Sequence, residues 1–364
     1  MRVLCVAGAR PNFMKIKPVL DALEARGVDV ELVHTGQHYD ERMSDVFFED
    51  LGIRPPDHSL GVGSGTHAEQ TGRVMVAFEA LLEQVTADAI VVVGDVNSTL
   101  ACAVVGAKAG PYVAHVESGL RSRDWSMPEE VNRVATDRIS DFLLAPSPDA
   151  VDNLRAEGYP DERVHLVGNV MVDTLLSNLE RARRRPILDE IGVDAGQYGL
   201  VTLHRPANVD DPEVLGRLMG ALERVAERCP LVFPIHPRTR AQLGDGAVGA
   251  AVHLVEPAGY LDFIALEASA RIVLTDSGGI QEETTVLGVP CLTLRDNTER
   301  PITVDEGTNT LVGRNPDRIV EVALDRIEHG APRRCPDLWD GHAGERIADV
   351  LIVGCRDGVA RPTN

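Results

Sequence analysis

The sequence predicts an α/β protein of two doubly wound, Rossmann-like domains facing a cleft. Short apolar runs alternate with longer amphipathic segments, and the runs are apolar on both faces, as strands of a helix-covered parallel sheet must be. The alternation then restarts after VHLVGN (164–169), so that two βαβ series follow one another in a single chain. At 364 residues there is enough chain for two cores. We expect the domains over 1–170 and 171–364, with the boundary before the basic helix end RARRRP and a C-terminal helical segment packing back on the N-terminal domain.

In the first series RVLCVAG reads as a strand, NFMKIKPVLDALEARG as a helix and VDVELVHTG as a strand. AIVVVGD, the helical STLACAVVGAKAG, YVAHVES and FLLAPS follow. The second series has YGLVTLH, LVFPIHP, VHLVEP, RIVLTDS and VPCLTL as strands, with PEVLGRLMGALERVAERC as a helix.

Composition narrows the function. Hydrophobic residues make up 44% and charged residues 25%, as in ordinary globular proteins. A net charge of −20, from 56 acidic and 36 basic residues, argues against a broad nucleic-acid face but permits a local anion pocket. The six cysteines are scattered without a C-x-x-C, which suits a reduced compartment. No apolar stretch approaches the roughly 20 residues of a membrane span, and MRVLCVAGAR lacks a signal-type region. The expectation is a cytoplasmic protein with neither membrane nor nucleic-acid partners.

Open parallel sheets bind ligands beyond the carboxyl ends of their strands. Six such ends carry chemistry here: GARPNFMK, GDVNST, HVESGLR, HRPAN, IHPRT and DSGGIQEE. In TDSGGIQEE, Ser277 can cap a helix while Gly278 and Gly279 let an anion approach its N–H groups. Glu282 and Glu283 fall in its first turns, within reach of ribose hydroxyls. Arg10, Lys15, His204, Arg205, His236, Arg238 and Arg300 form a candidate anion clamp. Lys15 is one of only three lysines, and in isolation it reads equally well as a snorkelling surface residue.

The stretch HVESGLRSRDWSMPEEVNR (115–133) crowds three carboxylates among arginines behind a strand. Asp95 and Glu117 each follow a strand expected to be central, which makes them acid–base candidates. Pro128 suits the first turn of a helix holding Glu129 and Glu130, and Glu130 reads as a dipole-complementing residue. No G-x-G-x-x-G follows the first strand and no His or Cys has ligand spacing, so neither a dinucleotide cofactor nor a metal is predicted.

From GARPNFMKIKP through TGQH, GDVNST, HVESGLRS…PEEVNR and TLHRPANVD to TDSGGIQEE and RDNTERP, the ordered series resembles the non-hydrolysing UDP-N-acetylglucosamine 2-epimerases over roughly residues 1–315. The resemblance implies a glycosyltransferase-B-type fold, a UDP-sugar substrate, no cofactor and a homodimer. It implies Asp95, Glu117 and Glu129 as catalytic carboxylates, with Arg10, Lys15 and His204 around the sugar and diphosphate. Ser277, Gly278 and Gly279 match the diphosphate turn, Glu283 the ribose carboxylate, Phe263 a uracil-side position and Arg300 a further site arginine. His236 belongs to the same expected substrate-binding set.

That chemistry explains the residue types. The C2–H of an N-acetylhexosamine is not adjacent to a carbonyl, but cleavage of the anomeric bond to UDP acidifies it. Elimination to a 2-acetamidoglucal and re-addition need acid–base groups on both faces of C2 and a cationic clamp for the leaving diphosphate. Two departures bear on the sugar. The family often has Glu after the first Pro, where this chain reads Pro11-Asn12-Phe13, and Ala207 stands where H-R-x-E-N has its Glu. The segment after TGQH, Tyr39-Asp40-Glu41-Arg42-Met43, lacks the Arg-Glu-Met of allosteric members, so no UDP-GlcNAc activator is expected. Alternatives are the same chemistry on a modified UDP-HexNAc such as a 2,3-diacetamido uronic acid, a hydrolysing 2-epimerase and a glycosyltransferase. Arg121, Arg123 and Arg238 could serve a sugar carboxylate, although solvated surface is the simpler reading.

Overall fold

The computed structural model describes residues 1–36, 50–235, 237–243, 249, 251–332 and 334–358, without the side chains at 10, 237 and 238. His236, the end of TGQH and the 39–43 segment lie outside the described residues. The chain divides into two compact units, Met1–Thr174 with the segment from Asp337 onward, and Leu175–Pro336.

The first unit holds a parallel sheet of β1 (Arg2–Ala7), β2 (Asp29–His34), β3 (His58–Ser59), β4 (Ala89–Val93), β5 (Tyr112–Val116), β6 (Phe142–Ala145) and β7 (Val164–Leu166). Their spatial order is β3-β2-β1-β4-β5-β6-β7. The direction of winding therefore reverses between β1 and β4, which pair in parallel from Val3 with Ala89 to Val6 with Val92. Reversal opens a crevice at the carboxyl ends of β1 and β4, because the helices that follow them cover opposite faces. β4 is buried along its whole length, and its apolar side chains are stabilised there in one cluster with Leu4, Val33, Val74, Phe78 and Val113.

Helix Arg10–Ala25 contains Pro18, which has no N–H to give the carbonyl of Met14. The Thr174 hydroxyl supplies that bond at 2.6 Å. The returning helix Ala343–Asp357 is capped by the Asp173 carboxylate, which accepts from the N–H groups of Ala343 (3.1 Å) and Gly344 (2.7 Å). A Cβ on Gly344 would lie 2.5 Å from the Pro18 carbonyl oxygen, so only glycine lets this helix meet Arg10–Ala25.

The second unit repeats the plan with β8 (Gly199–Thr202), β9 (Leu231–Pro234), β10 (Val252–Val255), β11 (Ile272–Thr275), β12 (Cys291–Thr293) and β13 (Asn309–Leu311), in the order β10-β9-β8-β11-β12-β13. Here the winding reverses between β8 and β11, paired from Ile272 with Gly199 to Thr275 with Thr202. Helix Pro212–Ala226 buries Leu215, Leu218, Leu222 and Val225 on one side of the sheet. The sequence reading names neither β3 nor β13. Both are short edge strands, where half of the hydrogen-bonding capacity faces away from the sheet and apolar patterning is weak.

Candidate active site

In the first unit the predicted residues gather at the β1–β4 reversal. Lys15, in the second turn of helix Arg10–Ala25, is 9% exposed and its Nζ lies 2.5 Å from Glu117 Oε2. It is therefore a buried ion-pair partner and not a snorkelling residue. Glu117 directly follows β5 and has φ +69°, the left-handed region that costs a non-glycine residue on the order of 1 kcal/mol. Its Oε1 is buried and makes no hydrogen bond among the described residues. An acceptor held in a strained turn beside one ammonium, with its second oxygen unspent, is suited to taking part in proton transfer.

Gly94 forms the floor of this pair. Its φ is +68°, and a Cβ there would stand 3.1 Å from Lys15 Nζ and 3.6 Å from Glu117 Oε2. Beneath it, the His115 ring bridges the Gly94 carbonyl (2.8 Å from Nε2) and the Asp137 carboxylate (2.6 Å from Nδ1), all fully buried. Burial alone would raise Asp137, but His115 and Arg121 hold it below the usual carboxylate range. Asn12 joins the loop after β1 to the end of β4. Its Oδ1 accepts from Gly8 N and Ala9 N, and its Nδ2 donates to the Val93 carbonyl. At 2% exposure this departure from the family pattern is a structural clip.

Asp95, one residue beyond Gly94, is ion-paired with Arg133, and its carbonyl accepts from Asn132 Nδ2 at 2.9 Å. The other arm of Arg133 holds Glu130 at 2.6 Å. Glu130 also accepts from Ser122 N, Ser122 Oγ and Arg123 N, which together outweigh its burial and lower its pKa. Glu130 is thus a buried strut, and Arg133 links it to Asp95. Pro128 opens helix Pro128–Ile139 as expected, and Glu129 stands next, half-buried, with no hydrogen bond or ion pair among the described residues.

Two sequence readings need correction. Arg121 is neither solvated surface nor open to a sugar carboxylate: it is 7% exposed and bridges Asp137 and Glu157 at 2.7 Å each. Ser277 occupies the N-cap of helix Gly278–Leu287, but its side chain bonds no first-turn N–H. Gly94, His115 and Asp137 went unnamed as functional groups, whereas Arg133 holds two carboxylates as an arginine of the 115–133 stretch was expected to do. The sequence signal for Gly94 was a glycine directly between a buried strand and Asp95.

In the second unit the predicted residues gather at the β8–β11 reversal. Asp276, which the sequence reading did not single out, is fully buried after β11. It accepts from His204 N, Arg205 N and Asn208 Nδ2, and lies 3.0 Å from His204 Nδ1. Burial would raise it, but His204 and these donors lower it. A carboxylate on Nδ1 leaves the half-exposed His204 ring with Nε2 as its other reactive nitrogen.

Gly278 starts the helix that follows. A Cβ there would fall 2.5 Å from Arg300 Nη1 and 2.8 Å from Glu299 Oε1, so the guanidinium approaches the backbone as only glycine permits. Arg300 pairs with Glu282 and Glu299 at 2.8 Å, Arg295 with Glu299 at 2.9 Å, and Arg205 with Glu299 at 3.6 Å. The arginines hold Glu299 far below the usual carboxylate range despite its burial. Three guanidiniums, Arg205, Arg295 and Arg300, gather beside a helix N-terminus, where they are balanced by Glu282, Glu299 and Asp276 and the helix N–H groups remain to meet an anion. Glu282, spent on Arg300, is unavailable to ribose, whereas Glu283 is buried one position further along the helix. Phe263 is half-buried on helix Tyr260–Ala268, packed against the apolar cluster that includes Leu200, Val232 and Leu266. Arg10 begins its helix at the end of β1.

A cavity of about 840 Å³ lies at the amino ends of β1, β4 and β5, between Met1, Asp88, Tyr112 and Cys355, and none of these candidate residues lines it. Among the described residues no cluster of His, Cys, Asp and Glu is arranged to hold a metal, and no helix is long and apolar enough to cross a membrane.

Two Rossmann-like parallel-sheet domains of this kind define the glycosyltransferase-B class of fold. A glycosyltransferase from Streptomyces nogalater shares that fold at a TM-score of 0.54 and 17% identity, over 97% of this chain and 99% of its own. The chain itself belongs to the UDP-N-acetylglucosamine 2-epimerase family, whose sequence model matches residues 21–352. It is similar to the Methanocaldococcus jannaschii UDP-GlcNAc 2-epimerase, solved in complex with UDP-GlcNAc and UDP, at 41% identity and a TM-score of 0.88 over 97% of this chain and 100% of that one. It is equally similar, at 41% identity over 96% of this chain and 99% of the relative, to a Pseudomonas aeruginosa UDP-2,3-diacetamido-2,3-dideoxy-D-glucuronate 2-epimerase.

Proposed function

We propose that this chain catalyses reversible epimerisation at C2 of UDP-N-acetylglucosamine, giving UDP-N-acetylmannosamine. The observation that carries the reading is the buried Lys15–Glu117 pair set beside Asp95 at a strand-order reversal, in a chain of the 2-epimerase family. One substrate molecule would take its diphosphate and ribose from Ser277, Gly278, Gly279, His204, Arg300 and Glu283, with Phe263 beside the uracil and Arg10 and His236 in the same set. Its sugar ring would be served by Asp95, Glu117, Glu129 and Lys15.

In the elimination step a carboxylate removes the C2 proton, the C2–H electrons form the C1–C2 double bond, and the C1–O bond breaks with its electron pair on UDP. Re-addition reverses each movement, with the proton delivered to the opposite face of C2. Glu117 and Asp95 are the proton carriers in this reading. In this reading the helix N-terminus at Gly278 and the guanidinium of Arg300 stabilise the charge that develops on the departing diphosphate. We infer a cytoplasmic homodimer, for which light scattering of the purified protein provides the check on subunit number.

Proton NMR in D2O with UDP-GlcNAc and no added metal or cofactor tests the reaction. Deuterium at C2 together with a growing UDP-ManNAc anomeric signal is the expected result. Free ManNAc with UDP would assign the hydrolysing outcome instead. The Pseudomonas relative supports a second reading, the same chemistry on a diacetamido uronic acid. Turnover of that sugar without turnover of UDP-GlcNAc would select it.

A further inference from the structure

Gln281 is fully buried in helix Gly278–Leu287, and none of the roles above uses it. A buried primary amide has donors to satisfy at one end and an acceptor at the other. Here the donor end, Nε2, gives a hydrogen bond to the Ser277 carbonyl at 3.1 Å. The acceptor end, Oε1, takes one from Thr298 Oγ1 at 2.7 Å and one from Asn309 Nδ2 at 3.0 Å. The partners fix which end is which. A carbonyl only accepts, and the Thr298 hydroxyl already accepts from Arg300 N at 3.1 Å, so its own proton is the one left for Oε1.

The donor end acts on the helix start. Ser277 is the N-cap residue, whose carbonyl also takes the first intrahelical bond. The peptide that joins it to Gly278 is planar, with its N–H opposite its C=O. Drawing the carbonyl along the helix therefore aims the Gly278 N–H out of the helix start, where an anion would sit. The acceptor end acts on the arginine. Thr298 Oγ1 holds Arg300 N, and the Arg300 carbonyl accepts from Thr303 Oγ1 at 2.8 Å. Asn309 ties these together, because its Nδ2 donates to Thr303 Oγ1 (3.0 Å) as well as to Gln281, and its Oδ1 accepts from Thr293 Oγ1 of β12 at 2.7 Å. The Arg300 guanidinium lies so near the helix start that a small shift of either element would change the spacing between them.

We propose that Gln281 is a positioning residue for the diphosphate: one amide sets both the direction of the Gly278 N–H and the place of the Arg300 backbone, and so the spacing of the two groups that meet the anion. Being fully buried, it acts only through them. This rests on the reading of Gly278 and Arg300 as diphosphate-binding groups. No other side chain of this length can do both tasks, since an ionised glutamate has nothing to donate to Ser277 and an apolar chain has neither function. Loss of the amide therefore weakens the hold on the diphosphate and leaves the nucleoside end of the ligand as it was.

The test compares UDP with uridine, which keeps the base and ribose and lacks the diphosphate, in NMR titrations of the full-length protein and of Gln281→Met. Methionine is of similar length but has no N–H to donate and accepts only weakly. UDP affinity should fall by about tenfold, with uridine affinity within about twofold of wild type. A role in stability alone would lower the melting temperature and leave the ratio of the two affinities where it was, so an unchanged ratio overturns the proposal. Should Gln281→Met not fold, Thr298→Val, which removes only the hydroxyl between Gln281 and Arg300, carries the same expectation of a reduced ratio. Gly278→Ala separates the two failures, because its Cβ would fall 2.5 Å from Arg300 Nη1 and push the guanidinium off the helix start. A reduced ratio there with an unchanged one in Gln281→Met sinks the positioning role alone. An unchanged ratio in both sinks the diphosphate reading, and the positioning role with it.

Discussion

Lys15 and Glu117, 102 residues apart in the chain, meet at 2.5 Å in a buried ion pair over Gly94. Breaking a buried pair costs more than the pair contributes, because the remaining charge is left without a partner or water.

Glu117→Gln should lower the rate of C2 deuterium exchange by about 10²–10⁴-fold, with UDP affinity within about threefold of wild type because the residues proposed to hold UDP belong to the other unit. Lys15→Met should destabilise by about 3–5 kcal/mol. The double variant should lose less than the sum of the single losses, as measured by chemical denaturation.

Gly94→Ala tests the floor of that pair. Positive φ costs an alanine on the order of 1 kcal/mol, and the new methyl would press on Lys15 Nζ at 3.1 Å. Turnover should fall by about tenfold or more, with a lower melting temperature, while UDP binding is retained.

Asp95→Asn should likewise abolish turnover and spare UDP binding, since Arg133 keeps Glu130 as its second anchor. Arg133→Met removes the cation shared by the two carboxylates. It should cost about 3–5 kcal/mol, the penalty for stranding the buried Glu130.

Asp276 has a lowered pKa in the folded protein, so its contribution is present above its unfolded value and is lost as pH falls through the folded one. Asp276→Asn should remove part of the acid-side loss of stability. At neutral pH it should cost about 1–3 kcal/mol through the N–H groups of His204 and Arg205. Calorimetric melts from pH 3.5 to 7 check both expectations.

Glu267 has the opposite sign. Its raised pKa means that stability is full below the unfolded carboxylate value and declines as pH rises toward the folded one. Glu267→Leu should therefore melt higher than wild type, with the larger gain at pH 8 than at pH 5 and about 1–4 kcal/mol at the alkaline end. A variant that melts lower at both pH values contradicts this account.

Turnover of UDP-ManNAc should proceed without added UDP-GlcNAc, because residues 39–43 read YDERM and lack the Arg-Glu-Met of allosteric relatives. A strict requirement for UDP-GlcNAc in that assay would contradict the expectation.

Much of the fold was legible because buried parallel strands must be apolar on both faces. RVLCVA, AIVVV and IVLT could hardly be read otherwise, and the residues just after them supplied the candidate site. β3 and β13 were not legible, since a polar edge strand leaves no such pattern. The site was legible in its types and less so in its pairings. Arg121 looked solvated and proved to be clamped between Asp137 and Glu157. Ser277 looked like a cap and makes no capping bond, while Asp276 and His115 stood unnamed within motifs already quoted.

By itself the sequence determined the two βαβ series, the strand ends that carry the candidate site residues and the family, because these depend on local periodicity and ordered motifs. Only the tertiary structure decided which charges meet: Lys15 with Glu117, Asp95 with Arg133 and Arg300 with Glu282. Such meetings depend on strand order and helix packing, which bring together residues as far as 102 positions apart. In a water-poor interior, what each carboxyl or cation can do is set by its neighbour and not by its own type.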